Sequence, residues 1–196
     1  MFGSAILLAG GKSERMGFDK QGIRNNDELL VLETIRRLRS DFSDIIVVTH
    51  NSRYYLGENV RITKDLLPST GPLAGFHAGL SLAKSEYAFV LACDMPYYHS
   101  GYAAYCKQQI RPGDNGILTS LDTGWIEPFH AYYSRRLITP IERYLAAGRR
   151  NIRDLALENG VQFLPESHAR TFDPTLRMFS NLNTREELDA FLAGNK

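Results

Sequence analysis

The residues best suited to chemistry lie near the N-terminus, in the stretch AILLAGGKSERMGFDK between Ala5 and Lys20. Its apolar beginning is typical of a short buried strand. Two glycines follow, and their lack of side chains lets backbone N–H groups approach a phosphate or a base edge. Lys12, Arg15 and Lys20 add cations that can neutralise phosphate charge. This order of features indicates a nucleotide site at the carboxyl end of a strand.

The stretch matches neither of the common phosphate-loop signatures. The P-loop needs Gly-x-x-x-x-Gly-Lys-Ser/Thr, but the spacing from Gly11 to Gly17 differs and Phe18 follows. The dinucleotide fingerprint needs Gly-x-Gly-x-x-Gly, whereas the glycines here are adjacent, which disfavours a dehydrogenase. A Gly-Gly pair after a strand is most often a turn, and surface lysines are mostly solvated. The residues of this stretch alone therefore leave an ordinary turn open as the alternative.

Composition limits the classes of protein and of partner. The chain has 196 residues, of which 43% are hydrophobic, and we expect one domain spanning residues 1–196. A net charge of +1 does not favour nucleic acid as a partner. The two cysteines, Cys93 and Cys106, are too few for a zinc site. Because we find neither a secretory signal nor a membrane-spanning apolar stretch, we expect a cytoplasmic protein.

Strand-like and helix-like patterns alternate along the chain. Val31, Ile35 and Leu38 recur at helical spacing, and the apolar run Tyr87–Cys93 is typical of a buried strand. Thr184 and the glutamate three positions later predict a capping box for a last helix. This alternation predicts a single doubly wound, Rossmann-like α/β domain with a mainly parallel sheet and helices on both faces.

Two carboxylates follow predicted strands. Asp94 comes directly after the run Tyr87–Cys93, where a carboxylate at the end of a central strand is well placed to hold Mg²⁺ on a triphosphate. Asp65 follows a predicted strand at 60–63 and precedes a loop rich in proline and glycine. Pro72 in that loop can open the next helix. For each aspartate, a turn residue at the end of a strand is the structural alternative.

Several motifs together resemble a known family. The string Leu8-Ala9-Gly10-Gly11-x-Ser13-x-Arg15-Met16-Gly17-x-Asp19-Lys20 resembles the signature loop of the molybdenum cofactor guanylyltransferases of the MobA type. Asp65 with Gly-Pro-Leu-Ala-Gly, Cys-Asp-Met-Pro at Asp94, and Glu-Pro-x-x-Ala from Glu127 follow in the order that the family shows. The resemblance implies transfer of GMP from GTP to molybdopterin or its molybdenum form, with release of pyrophosphate and with Mg²⁺ as cofactor.

The resemblance also implies which residues bind the nucleotide. The residues expected to contact GTP are Leu8, Ala9, Gly10, Gly11, Lys20, Asp65, Gly75 and Asp94. Asp65 would accept hydrogen bonds from the guanine edge or a ribose hydroxyl. Lys20 and Arg15 would neutralise charge on the α-phosphate and the leaving pyrophosphate, and Asp94 would be the metal ligand.

The C-terminal half is expected to bind the acceptor. Arg149, in a segment similar to the family's Gly-Arg-x-x-Ile pattern, would suit the phosphate of molybdopterin, and Asn181 and Asn183 are the other candidates. Turn and cap chemistry explains Asn183 equally well. Trp125 could stack on a pterin ring or pack in a turn. Contact with other cofactor-synthesis proteins remains open.

Three alternatives remain beside this reading. The chain could use CTP, although the Gly10-Gly11 pair favours guanine because small residues leave room for a purine. It could act on another phosphorylated acceptor, such as a methylerythritol or sugar phosphate. It could also bind nucleotides as a regulator without turnover. Thr49 stands where the family commonly has asparagine, which leaves a ligand contact there in doubt, and Asn51 could replace it.

Overall fold

The computed structural model describes residues 2–10, 19–25, 27–67 and 71–194. The predicted site residues Gly11 and Arg15 lie outside these ranges, as does Lys12. The strands are β1 (Ser4–Leu8), β2 (Arg24–Asn25), β3 (Glu28–Leu29), β4 (Asp44–Val48), β5 (Arg61–Thr63), β6 (Tyr87–Ala92), β7 (Gly116–Ser120), β8 (Ile126–Ser134) and β9 (Val161–Pro165). The α-helices are α1 (Leu30–Leu38), α2 (Pro72–Leu82), α3 (Ser100–Gln109), α4 (Ile138–Ala146), α5 (Ile152–Glu158), α6 (Glu166–Arg170) and α7 (Arg185–Gly194).

Seven strands form one sheet in the order β5-β4-β1-β6-β8-β7-β9. The pairs β5–β4, β4–β1, β1–β6 and β7–β9 are parallel, and only β8 runs antiparallel to its neighbours in this sheet. The prediction of a mainly parallel α/β sheet is therefore confirmed. The predicted strand at Tyr87–Cys93 ends one residue earlier, at Ala92.

Helices cover both faces of the sheet because successive strand residues point to opposite sides. Ala5 and Leu7 of β1 belong to the core that α1 and α3 cover, whereas Ile6 belongs to the core under α2 and α4. All residues of β1 except Leu8, and every residue of β4 and β6, are buried. Such continuous apolar runs are expected of strands covered on both faces.

The three central parallel strands end level with one another. Leu8 at the end of β1 lies opposite both Val48 of β4 and Ala92 of β6. The ladder continues one step further, because the Ala9 N–H donates to the Val48 carbonyl and the Cys93 N–H donates to the Leu8 carbonyl, each at 2.9 Å. The residues that follow these strands therefore leave the sheet along one edge.

Helix α2 lies unusually close to the sheet. A Cβ atom added at Gly79 would come within 2.5 Å of Ile6 Cγ2, so only glycine allows this approach. A Cβ at Gly75, one turn earlier, would meet Leu8 at 3.2 Å. Gly71 precedes the helix with φ of 107°, which favours glycine, and Pro72 occupies the first turn as predicted. The start of α2 is thereby held at the carboxyl end of β1.

The region after Lys20 forms more regular structure than its polar sequence indicates. Lys20–Gly22 forms a short 3₁₀-helix, and β2 and β3 pair as an antiparallel ribbon. Beyond them a small separate core joins this region to the C-terminal helix, formed by Ile23, Leu30, Leu182, Leu188 and Phe191. Hydrophobic contacts between residues distant in sequence decide this arrangement, and local propensity does not show them.

Side chains cap two C-terminal helices, and the capping box predicted for the last helix is confirmed. The Asn151 side chain accepts from the N–H groups of Arg153 and Asp154 at the start of α5. Thr184 and Glu187 form the reciprocal bonds of a capping box. In the described part of the chain, none of the helices has the length and apolar character needed to cross a bilayer.

Candidate active site

A cavity of about 860 Å³ opens at the edge of the sheet where β1, β4 and β6 end. The start of α2 borders it, and segments from the C-terminal half contribute the remaining wall. The lining residues are Leu8, Ala9, Gly10, Asp19, Lys20, Gln21, Val48, His50, Asp65, Leu67, Gly71, Pro72, Gly75, Ala92, Cys93, Asp94, Phe129, Arg150, Asn181 and Asn183. This edge is the usual ligand position in open α/β sheets.

Lys20 joins two distant parts of the chain in this cavity. Its Nζ donates to Asp94 Oδ2 at 2.7 Å and to Asn183 Oδ1 at 2.6 Å. The side chains of Lys20 and Asp94 are each 17% exposed. The main chain holds the same corner together, because the Leu182 N–H donates to the Asp94 carbonyl at 2.9 Å. The result is a partly desolvated ion pair that faces open volume.

The cavity brings together most of the predicted site residues. Those that line it are Leu8, Ala9, Gly10, Lys20, Asp65, Gly75, Asp94, Asn181 and Asn183. At Gly10 a Cβ would make only ordinary contacts, of 3.8 Å to the Val48 carbonyl oxygen and 3.9 Å to His50. Packing within the described structure therefore does not require glycine there, whereas close approach by a ligand would.

Asp65 lies on the side of the cavity formed by β4, β5 and α2. Its Oδ2 is 3.5 Å from His50 Nε2. Gly75 stands beside the same carboxylate, because a Cβ there would be 3.9 Å from Asp65 Oδ1. The first turn of α2 presents its backbone N–H groups nearby, and such groups favour negatively charged ligands. A carboxylate and a helix N-terminus together can bind different parts of a nucleotide.

The donor chemistry of the cavity fits a magnesium ion. Among the residues that the structure describes, no group of three or more His, Cys, Asp or Glu side chains could hold a metal. Magnesium does not need such a group, since it usually takes one or two carboxylates and fills its other positions with water and phosphate oxygens. Asp94 offers a hard oxygen donor beside enough volume for those ligands.

Comparison with known proteins agrees with this geometry. The model of the MobA-like NTP transferase domain matches residues 5–162. The chain belongs to the MobA-like NTP transferase family. The match covers the strands whose carboxyl ends form the cavity, together with Lys20 and Asp94.

Relatives resemble the chain over nearly its whole length. A probable molybdenum cofactor guanylyltransferase from Peptoclostridium acidaminophilum is 41% identical over 96% of this chain and 87% of its own. A molybdenum cofactor guanylyltransferase from Syntrophotalea carbinolica is 40% identical over 96% of this chain and 90% of its own. The crystal structure of molybdopterin-guanine dinucleotide biosynthesis protein A from Archaeoglobus fulgidus superposes with a TM-score of 0.80 at 25% identity, covering 95% of each chain.

Arg149 does not line the cavity. The Arg149 guanidinium donates to both carboxylate oxygens of Glu158, at 2.5 and 2.9 Å, and lies 4.1 Å from the centre of the Tyr144 ring. Its neighbour Arg150 lines the cavity instead. Arg149, which the resemblance suggested for acceptor binding, therefore lies outside the lining of this cavity. The two arginines are adjacent in the sequence, and they follow a turn at Gly148, which has a φ of 73°.

Other residues singled out in the sequence are also placed. Thr49 is buried. Neither Thr49 nor Asn51 is among the residues that line the cavity. Trp125 lies near the start of β8 and does not line the cavity. Its side chain is 75% exposed, so it does not pack in its turn. His77 is a buried residue of α2, and its Nε2 is 2.9 Å from Glu142 Oε1.

Sequence reasoning missed Phe129 because strand β8 is irregular. His130 adopts a left-handed backbone with φ of 49°, and the pairing of β7 with β8 changes register between Ile117 and Thr119. Such irregularities change the direction of side chains next to active sites. Simple alternation along β8 could not have placed Phe129 in the cavity wall. The Glu-Pro motif that precedes it was the available signal.

Glu127 of that motif is a buried carboxyl group. It is 8% exposed, and its Oε1 accepts from the Phe129 N–H at 2.9 Å. Burial raises the pKa of Glu127 to about 7, and the negative charge of Asp94 adds to the rise, although the hydrogen bond from Phe129 opposes it. The group therefore titrates near neutral pH.

We expect Glu127→Gln to remove a pH dependence of stability. The pKa is about 7 in the folded chain against an ordinary 4.5, so the folded state keeps a proton that the unfolded state has lost between these values. The wild-type free energy of unfolding should therefore fall as pH rises through this range, by on the order of 3 kcal/mol.

Urea unfolding at about pH 5 and about pH 8 measures this loss. Glutamine can still accept from the Phe129 N–H, so Glu127→Gln should lose less stability than wild type between the two conditions. Glu186→Gln, on an exposed turn of α7, is the matched control and should behave as wild type. Equal losses in wild type and Glu127→Gln would contradict the prediction.

Proposed function

We propose that this protein transfers GMP from GTP to the terminal phosphate of a molybdopterin-type acceptor, forming the guanine dinucleotide cofactor and releasing pyrophosphate. The observation that carries the proposal is the Lys20–Asp94–Asn183 contact in a cavity at the ends of β1 and β6. Family membership and the names of the relatives support the reaction and the nucleotide.

The arrangement supports binding of the nucleotide between β1 and α2. Leu8, Ala9 and Gly10 line the cavity, and the small residues after Leu8 would let the backbone approach the base and the phosphates. The Asp65 carboxylate can accept both N–H groups on the guanine edge, or a ribose hydroxyl. Guanine offers two adjacent donors on that edge, which matches a carboxylate acceptor, whereas the ring of cytosine presents an acceptor there.

Phosphoryl-type transfer needs positioning and charge neutralisation more than covalent help from the protein. An oxygen of the acceptor phosphate would attack the α-phosphorus in line. A new phosphorus–oxygen bond forms as the bond from the α-phosphorus to the bridging oxygen breaks, and that oxygen leaves on pyrophosphate. Lys20, together with Arg15 from the signature loop, would neutralise the charge that develops on the α-phosphate and on the leaving group.

Nucleotidyltransferases of this type use a divalent metal, and we propose Mg²⁺ for this chain. Asp94 would hold it, and when bound it would supply positive charge to triphosphate oxygens. The 2.7 Å contact between Lys20 and Asp94 keeps the two charges compensated without a ligand. A bound polyphosphate would give Lys20 a new anionic partner, and the Asp94 carboxylate would then be available to hold the ion.

The acceptor would occupy the wall of the cavity that the C-terminal half forms. Arg150 can make charge-assisted bonds to its phosphate, while Asn181 and Asn183 offer amide donors and acceptors. We therefore propose one domain whose N-terminal half binds the nucleotide and whose C-terminal half binds the acceptor. We propose a cytoplasmic location, where the free thiols of Cys93 and Cys106 would stay reduced.

The decisive experiment measures pyrophosphate release and dinucleotide product with Mg²⁺, molybdopterin, and either GTP, CTP or ATP. Product with GTP alone is expected. Product with CTP in its place would make the chain a cytidylyltransferase. A thermal shift with GTP, without pyrophosphate release in the presence of the authentic acceptor, would favour a regulator that binds nucleotide without turnover.

The Lys20–Asp94 pair gives a sharper prediction about turnover. Lys20→Met should lower kcat by about 100- to 1000-fold, because it removes a preorganised donor to developing charge. Asp94→Asn should lower kcat at least as much and weaken the dependence on Mg²⁺ concentration, because an amide is a poorer magnesium ligand. Steady-state kinetics over a magnesium titration measures both effects. Asp27→Asn is the control at an exposed aspartate, and near-normal turnover by Asp94→Asn would exclude Asp94 as the main ligand.

The neighbouring arginines provide a matched test of acceptor binding. Arg150→Ala should raise KM for molybdopterin by about 10- to 100-fold, which corresponds to the loss of a charge-assisted hydrogen bond. Arg149→Ala should leave both kinetic constants close to wild type, because its partners are Glu158 and Tyr144 outside the cavity. The reverse result, with only Arg149→Ala affecting the acceptor, would contradict the assignment.

A further inference from the structure

A closed ring of hydrogen bonds lies at the wall of the cavity, between the segment around Lys20 and the end of β4, and its members Asp19 and Gln21 line the cavity. Gln21 Nε2 donates to Asp19 Oδ1 at 3.2 Å, and Thr49 Oγ1 donates to Gln21 Oε1 at 2.8 Å. The Asn51 N–H donates to Thr49 Oγ1 at 2.9 Å, and Asn51 Nδ2 returns to Asp19 Oδ2 at 3.1 Å. Each of the four residues thus contacts two others in the ring, Asn51 through its backbone N–H to Thr49 and through its side chain to Asp19.

Two of the four ring residues are buried, so the bond between them is not exchanged easily for water. Gln21 is 5% exposed and Thr49 is 3% exposed. The buried hydroxyl of Tyr55 adds a second donor to Gln21 Oε1, at 2.8 Å. Both polar atoms of the Gln21 side chain therefore have partners, and a buried amide that lost them would be costly. Fully satisfied networks of this kind hold one geometry.

Lys20 lies between two members of the ring. The Asp19 carboxylate also accepts from the Gln21 backbone N–H at 3.1 Å, which starts the 3₁₀-helix Lys20–Gly22. The residues on both sides of Lys20 are thereby fixed to β4, while its own side chain extends into the cavity toward Asp94 and Asn183. The ring restricts the direction from which a long and flexible side chain can approach.

We propose that Gln21 is a positioning residue, which acts through Asp19 and Thr49 to hold the Lys20 ammonium at the reacting phosphates. This rests on the proposed function, in which Lys20 neutralises charge in the transition state. It also gives Thr49 a role different from contact with the nucleobase, since Thr49 lies outside the cavity lining. A one-ångström displacement of a catalytic group can lower a rate strongly without changing substrate binding.

Variants that break single bonds of the ring should lower turnover selectively. Gln21→Met keeps the size of the side chain but removes all its hydrogen bonds, and should lower kcat by about 10-fold while KM for GTP changes by less than about 3-fold. Gln21→Glu can still accept from Thr49 and Tyr55 but places a second carboxylate beside Asp19, and should be at least as impaired. Thr49→Val should also lower kcat, whereas Thr49→Ser, which keeps the hydroxyl, should restore it.

Thr34→Val is the matched control for the loss of a buried hydroxyl. Thr34 is 1% exposed, and its Oγ1 donates to the Leu30 carbonyl at 3.0 Å, away from the ring. It should leave kcat unchanged, with a change in melting temperature similar to that of Thr49→Val. A proportionate loss of stability in all variants, without a selective effect on kcat at Gln21 and Thr49, would overturn the proposal.

A measurement without substrates separates this proposal from the proposed function. In a chain carrying lysine labelled with ¹⁵N at Nζ, the Lys20 ammonium should give a proton-exchange-protected NMR signal, because it donates to Asp94 and Asn183. Lys20→Arg assigns the signal by removing it. Gln21→Met and Thr49→Val should accelerate exchange of this ammonium, whereas Thr34→Val should not.

The two hypotheses then fail in different ways. A wild-type chain that forms no product with any nucleotide would refute the proposed reaction, while the NMR comparison would still decide whether Gln21 holds Lys20. An unchanged Lys20 signal in Gln21→Met would overturn the positioning role even in an active enzyme. Absence of a protected Lys20 signal in wild type would overturn it too, because the positioned contacts would then not persist in solution.

Discussion

The level ending of three parallel strands is the constraint on which the rest of the site depends. Leu8 stands opposite Val48 and Ala92 at once, so the chain leaves β1, β4 and β6 at the same height. Polar residues that follow these strands must then share one edge of the sheet. A shift of register by one residue would turn the buried side chains of β1 to the other face of the sheet and displace Asp94 relative to the signature loop.

The C-terminal segment completes the site from the opposite side. The Leu182 N–H binds the Asp94 carbonyl, and Asn183 accepts from Lys20. The small core around Ile23 and Phe191 holds this segment against the region that follows the signature loop. Because Leu182 of this core lies between the lining residues Asn181 and Asn183, its apolar packing keeps Asn183 beside the ion pair.

Local charge, not net charge, gives the cavity its chemistry. The whole chain carries a formal charge of only +1, yet Lys20 and Asp94 face each other with little exposure to solvent. Opposite charges in such surroundings interact more strongly than on an open surface. A phosphate could take the place of Asp94 as the partner of Lys20, and a cation could take the place of Lys20 as the partner of Asp94.

The sequence by itself determined the alternation of strands and helices in a mainly parallel α/β fold, the motif that contains Lys20, and the position of Asp94 after a buried run, because these follow from periodicity and local motifs. It did not show the ribbon of β2 and β3. Only the tertiary structure decided that Arg150 faces the cavity in place of Arg149, and that Gln21 is buried in a ring with Thr49. The physical reason is that side-chain direction at turns, and hydrogen bonds between segments far apart in the chain, depend on how the elements pack. Local sequence patterns do not show how those elements pack.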